Sequence, residues 1–259
     1  MPQSIAMYPE SNTDKRAHKT HCIRLQYTLP ESRALLAELR REKLSITFAA
    51  AAATLLAVKQ TYGKGHETGA LLGMTRNARR WVDTLGQREH GTSVPHAADV
   101  IFLWIPFYPE WFQCSTRDTI FHLGRAIKKE LGPHIDSPHY LASLSFVSDR
   151  AVEALAAEKE PTAAPCAPGF SPQGALGLKH EHSSGSATIK TYDFIHTGRQ
   201  INASPWVGMF SLWDQVTLSI GFDSKYHDTV TMDVFMALVK TNLASVISGR
   251  ALSGPVAKL

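Results

Sequence analysis

The run Trp213-Asp214-Gln215-Val216-Thr217-Leu218-Ser219-Ile220-Gly221-Phe222-Asp223 alternates apolar residues with polar or small ones. Val216, Leu218, Ile220 and Phe222 share one face, and Thr217, Ser219 and Gly221 the other, which is the period of a β-strand. Tyr226-His227-Asp228 follows as a polar turn. Residues 229–248 then place Phe235, Leu238, Val239, Asn242 and Val246 on one side of a long amphipathic helix. A half-buried strand leading into such a helix predicts a layer of sheet against a layer of helix.

Upstream, strands are expected at 174–182, 187–195 and 205–212. Residues 160–175 carry Pro161, Pro165, Pro168 and Pro172 and read as a loop. Residues 144–147 read as a strand and 149–159 as a short helix. Ser115-Thr116-Arg117-Asp118 has the form of a capping box. It precedes a helix striped by Ile120, Ile127 and Leu131, which Gly132-Pro133 is expected to stop. The unbroken apolar run 100–107 predicts a central strand buried on both faces. Residues 68–75 predict a short strand and 77–96 an irregular stretch.

Nearer the N-terminus, 22–29 alternates, with Ile23, Leu25, Tyr27 and Leu29 inward. Pro30 and Glu31 suit a first helical turn, with Leu35, Leu36 and Leu39 as its apolar stripe. Ser45 or Thr47 is placed to cap an Ala-rich helix over 49–60 that Gly63 and Gly65 end. Residues 1–20 read as a loose polar arm, 21–250 as one lobe and 251–259 as a tail. Several strands and about five helices, without a regular βαβ rhythm, make an α+β layered domain.

Composition excludes several classes. The 259 residues are 44% hydrophobic and 19% charged, which fits a packed core rather than disorder. A net charge of +4 is thin for this length, and the basic runs 76–80 and 40–43 are short, so no nucleic-acid partner is expected. No run reaches the ~18 apolar residues of a membrane span, so no membrane partner is expected either. Cys22, Cys114 and Cys166 are far apart and form no CxxC; buried or inert thiols in a reducing compartment are the simplest reading. The C-terminal tripeptide Ala257-Lys258-Leu259 is close to the Ser-Lys-Leu peroxisomal address, so the expected location is cytoplasmic or peroxisomal.

The stretch 213–228 with its closing helix resembles the end of condensation-domain and CoA-dependent acyltransferase proteins, fungal members related to trichothecene acetyltransferases above all. Tyr192-Asp193-Phe194, followed by Gly198-Arg199-Gln200, is similar to the Asp-Phe segment of that superfamily; of the plant Asp-Phe-Gly-Trp-Gly motif, Asp193 and Phe194 match. The strand and two helices over 22–57 resemble the opening of the superfamily's C-terminal lobe. The set covers about residues 20–250. The resemblance implies a single layered lobe of the chloramphenicol-acetyltransferase type, a mixed β-sheet with helices packed on it. The superfamily's other lobe carries a His-His-x-x-x-Asp motif whose second His is the general base. None of the twelve histidines here has Asp four residues on. The chain thus resembles the C-terminal lobe alone.

Candidate chemistry centres on His180-Glu181-His182. On a strand both imidazoles share a face, as acid and base or as metal ligands. A zinc site needs a third ligand, and His196 is the one nearby candidate; the reading assigns no metal. Tyr192 and His196 complete the catalytic candidates. Asp193, structural by the resemblance and paired with Arg199, joins Arg199, Trp206, Phe210 and Trp213 as substrate-binding candidates. No phosphate-cradling Gly-rich motif occurs, and no cofactor is assigned. A lone lobe exposes an apolar face that must be covered or used, so a homo-oligomer, a partner chain or a hydrophobic small molecule is expected.

Three functions remain open. The first is a repurposed natural-product enzyme that binds a hydrophobic intermediate and catalyses cyclisation or isomerisation. The second is an acyltransferase lobe active as a dimer or with a separate chain carrying the His-bearing motif. The third is a non-catalytic binding or scaffold protein.

Overall fold

The computed structural model describes residues 5, 7, 17–63, 69–77, 98–106, 113–135, 167–195, 198–200 and 203–248. The strands are β1 (Thr20–Gln26), β2 (Gly69–Asn77), β3 (Ala98–Pro106), β4 (Gly169–Leu176), β5 (Glu181–Ser184), β6 (Ala187–Lys190), β7 (Trp206–Leu212) and β8 (Gln215–Asp223). The helices are α1 (Leu29–Arg41), α2 (Ile46–Tyr62), α3 (Thr116–Ile135) and α4 (Thr229–Ser248). Six strands form one mixed sheet in the order β1-β8-β7-β4-β2-β3; β5 and β6 form a separate hairpin. β4 runs parallel to β2 and β7, and the remaining pairs are antiparallel. This is the α+β layered lobe expected.

Val216, Leu218, Ile220 and Phe222 enter the core with Leu35, Leu39, Ile120, Leu123, Phe235 and Val239 from the helices. The helices therefore cover one face of the sheet. α2 is buried without interruption from Ala49 to Val58, as a helix with apolar residues all round must be. By length and composition α4 is also apolar enough to cross a membrane. Its Met232, Phe235, Met236, Val239, Leu243 and Val246 are buried in this core. Ile5 and Met7 are buried there too, and the Ile5 N–H donates to the Gly69 carbonyl at 3.2 Å, so the arm is anchored at those points.

Several boundaries differ from the sequence expectation. β1 ends at Gln26 because Thr28 caps α1: its hydroxyl accepts from the Glu31 N–H, and Glu31 accepts from the Thr28 N–H in return. Leu29 is thus helical. α3 continues through Pro133 to Ile135; a proline this close to the helix end forfeits few bonds downstream. β4 occupies the Pro-rich stretch read as a loop. Pro172 sits where the register with β7 shifts, and a bulge is a place where a strand tolerates proline. β3 is an edge strand rather than a central one among the described residues, since an apolar run alone does not reveal strand order. The expected strand 187–195 shortens to β6. The expected elements at 144–147 and 149–159, with most of 77–96, lie outside the described residues. Cys22 and Cys114 are exposed, not buried, because Cys22 points to the face of β1 away from the helices and Cys114 precedes α3; Cys166 is outside the described residues.

Candidate functional site

The face of the sheet opposite the helices holds a cleft of about 200 Å³ lined by Ser171, Gly198, Gln200, Trp206, Gly208, Ser219 and Gly221. Its floor follows from strand register. Ser171 of β4 pairs with Gly208 of β7, which pairs with Ser219 of β8, which pairs with Arg24 of β1. The Thr75 hydroxyl of β2 donates to Ser171 Oγ at 2.9 Å and extends the row. In the next row Trp206 lies between Gly169 and Gly221. The indole lies across Gly169, where a Cβ would fall 2.3 Å from the ring, so only glycine admits it. Small residues on three adjacent strands thus leave a depression, and Trp206 walls it.

Residues 193–194 and Gln200 lie over this face. Arg24 Nη1 donates to Asp193 Oδ1 at 2.5 Å and to the Phe194 carbonyl at 3.3 Å. The Arg24 hydrogen bond and the Phe194 N–H hold the Asp193 carboxyl below its ordinary pKa. Phe194 meets buried Phe210 edge-on, with centroids 5.2 Å apart. Gln200 is fixed from both sides: its N–H donates to Thr20 Oγ1 at 2.9 Å, and the Thr20 hydroxyl donates to its carbonyl at 3.2 Å. Asp193 is therefore paired with Arg24 rather than Arg199, because β1 brings Arg24 under the segment while Arg199 stays exposed.

The other candidates separate. Trp213 and Asp214 have φ of 50° and 65° and form the tight turn between β7 and β8. The Trp213 N–H donates to the Leu178 carbonyl at 2.9 Å, and the His180 ring stacks on the indole at 3.6 Å. Trp213 thus supports the root of the β5–β6 hairpin and is not among the cleft-lining residues. His180 precedes β5 rather than lying in it; His182 lies in β5, opposite Ile189. Both are exposed, and Tyr192 is 82% exposed. His196 lies outside the described residues. Among the described residues no cluster of His, Cys, Asp or Glu is placed to hold a metal ion.

Of the expected binding residues, Trp206 walls the cleft, while Phe210 and Asp193 hold the segment above it. Ser171, Gly208, Ser219, Gly221, Arg24 and Thr20 were missed. A signal existed: Ser219 and Gly221 share the polar face of the strand at 216–222, and glycine inside an apolar strand marks close approach.

No known family model matches the chain. It is 35% identical over 267 residues to the acyl-CoA-dependent acyltransferase MAC1 of Pseudozyma antarctica (strain T-34), covering 91% of this chain and 48% of that protein. The chain spans about half the length of the curated relatives it matches. The fold is similar to TRI3 trichothecene 15-O-acetyltransferase from Fusarium sporotrichioides, with a TM-score of 0.74 at 14% identity over 94% of this chain and 49% of that one. It is also similar to the condensation domain of the monacolin K polyketide synthase MokA, with a TM-score of 0.61 at 15% identity over 96% of this chain and 53% of that one. These relationships agree: the chain has the fold of the condensation-domain and CoA-dependent acyltransferase proteins, and its sequence is related to about half the length of an acyl-CoA-dependent acyltransferase.

Proposed function

We propose that this chain forms the C-terminal lobe of a two-lobe acyl-CoA-dependent acyltransferase acting on a hydrophobic natural-product substrate, and that its cleft is one wall of the reaction site. The observation that carries the reading is the make-up of that cleft. It offers an indole wall, serine hydroxyls and a glutamine amide, and its described lining contains no imidazole or carboxylate to accept the acceptor's proton. The cleft is thus fitted to hold a substrate, and the base comes from a complementary lobe, on the same polypeptide or another. The relatives' own length leaves room for one.

The partner surface is read from the exposed hairpin and the residues that follow it. The β5–β6 hairpin is exposed along its whole length, and Ile189, Tyr192 and Ile195 are 69%, 82% and 65% exposed beside it. An isolated hairpin is marginal in water, and large apolar side chains in one neighbourhood call for cover. A self-contained cyclase or isomerase would need its acid or base in the cleft, whereas His180, His182 and Tyr192 lie outside its lining. This favours acyl transfer.

Calorimetric titration of hexanoyl-CoA tests the cleft. Gly208→Leu fills the floor and is expected to weaken binding about tenfold or more, equivalent to at least ~1.4 kcal/mol. Ser219→Ala keeps the cleft open and retains most of the affinity. Equal binding by Gly208→Leu and the parent chain would remove the cleft from the proposal.

A further inference from the structure

The end of β8 carries a group of ionisable side chains that the acyl-transfer reading does not use. Asp223 is fully buried at the last position of β8. Its Oδ1 accepts the backbone N–H groups of Lys19 at 3.1 Å and Lys225 at 3.0 Å, and its Oδ2 lies 2.5 Å from His18 Nδ1. Burial raises the carboxyl pKa, but the bonds from His18 and the two amides outweigh it and hold Asp223 below its ordinary value.

In the neutral His18 ring, an Nδ1 proton directed at the Asp223 carboxylate leaves the lone pair on Nε2. That nitrogen lies 3.3 Å from Lys225 Nζ. Lys225 Nζ also lies 5.6 Å from the centroid of the Tyr226 ring, which is 6.0 Å from the His18 ring. The order is carboxylate, imidazole, amine: an orienting group, a base and a nucleophile in line. Other described lysines have different neighbours. Lys128 and Lys240 donate to the carbonyls of Lys43 and Gln26, and Lys190 faces Glu181.

We propose that Lys225 is a self-acylation site, taking an acyl group from an acyl thioester with His18 as proton acceptor and Asp223 as the positioning residue. The ammonium first releases a proton to water. The neutral amine then attacks the thioester carbonyl, and an N–C bond forms. The nitrogen of the tetrahedral intermediate gives its proton to His18 Nε2, the C–S bond breaks, and the thiolate leaves with the electron pair. The imidazolium returns its proton to the thiolate through solvent. The products are a neutral amide on Lys225 and one free thiol. The amide stays on the protein, so this is a single modification rather than turnover. The amide N–H remains able to donate to His18. The site adjoins Thr20, which holds Gln200 at the rim of the cleft. The inference does not rest on the acyl-transfer reading.

The full chain is incubated with acetyl-CoA at about pH 8, and acetylation of each lysine is followed by peptide mass spectrometry. Lys225 is expected to react at least about tenfold faster than Lys190 and Lys240, within the range one positioned base supplies. His18→Gln is expected to bring Lys225 to the rate of those two while the melting temperature holds. Asp223→Asn gives a second reading, lowering the rate while His18 and Lys225 both remain. Lys225→Arg removes the fast acetyl group and its thiol release. Equal labelling of Lys225 and the other lysines would overturn the proposal, as would a His18→Gln chain that acetylates Lys225 at the parent rate.

Discussion

Arg24 and Asp193 stand 169 residues apart in the chain and meet in an ion pair on the face of the sheet opposite the described helices. The contact fixes one end of the segment above the cleft; the Thr20–Gln200 pair fixes the other. Both side chains are partly solvated, and such pairs add little to global stability. Asp193→Asn is expected to leave the melting temperature nearly unchanged while backbone amides at 192–195 and 198–200 exchange faster, as hydrogen-exchange mass spectrometry would read. Unchanged exchange there would mean that the pair does not hold the segment.

Gly169 and Trp206 make the opposite case, a contact that stability depends on. A Cβ at residue 169 meets the indole at 2.3 Å. Gly169→Ala should therefore displace the ring and destabilise the fold by about 1–3 kcal/mol, the usual cost of overpacking. Urea unfolding measures it, and Gly169→Ala combined with Trp206→Leu should recover part of the loss. A neutral Gly169→Ala would show that the indole moves aside freely.

His227 sets a pH dependence. It is 2% exposed, and its Nε2 donates to the Ala203 carbonyl at 2.7 Å. Burial lowers its pKa against the weaker opposing effects of that hydrogen bond and of Asp228 and Asp223. The unfolded chain then binds the proton more readily than the folded one. The neutral form's stabilisation is full above the ordinary value of 6.5 and is lost as pH falls below it towards the depressed folded value. His227→Gln should flatten that part of the stability curve below pH 6.5, measured as the difference in unfolding free energy between the two chains. A parallel offset at every pH would place the dependence elsewhere.

Much of the architecture was legible because local rules and tertiary packing agree. The alternation at 216–222 gives β8 its faces, and residues 229–248 coincide with α4. Ser45 caps α2 by accepting from the Phe48 N–H, as its position before the Ala-rich run predicts. The failures have physical causes. Pro172 argued for a loop because proline removes a ladder donor, yet the β4–β7 bulge accommodates it. The site was less legible. Imidazoles drew attention at His180 and His182, but one stacks on a turn tryptophan and the other lies on an exposed hairpin. The cleft is made by what side chains leave empty, at Gly208 and Gly221. Which small residues stand side by side depends on register across strands far apart in sequence.

The central claim is that this lobe holds substrate and that the base comes from a complementary one. It is tested by thiol release from hexanoyl-CoA in the presence of a hydrophobic alcohol acceptor. The chain is assayed alone and together with the half of the Pseudozyma antarctica acyltransferase that it does not match, with light scattering to record assembly. The account predicts no sustained release by the chain alone and turnover once the two halves associate. Sustained turnover by the chain alone, as monomer or dimer, would contradict it, as would an assembled pair that releases no thiol.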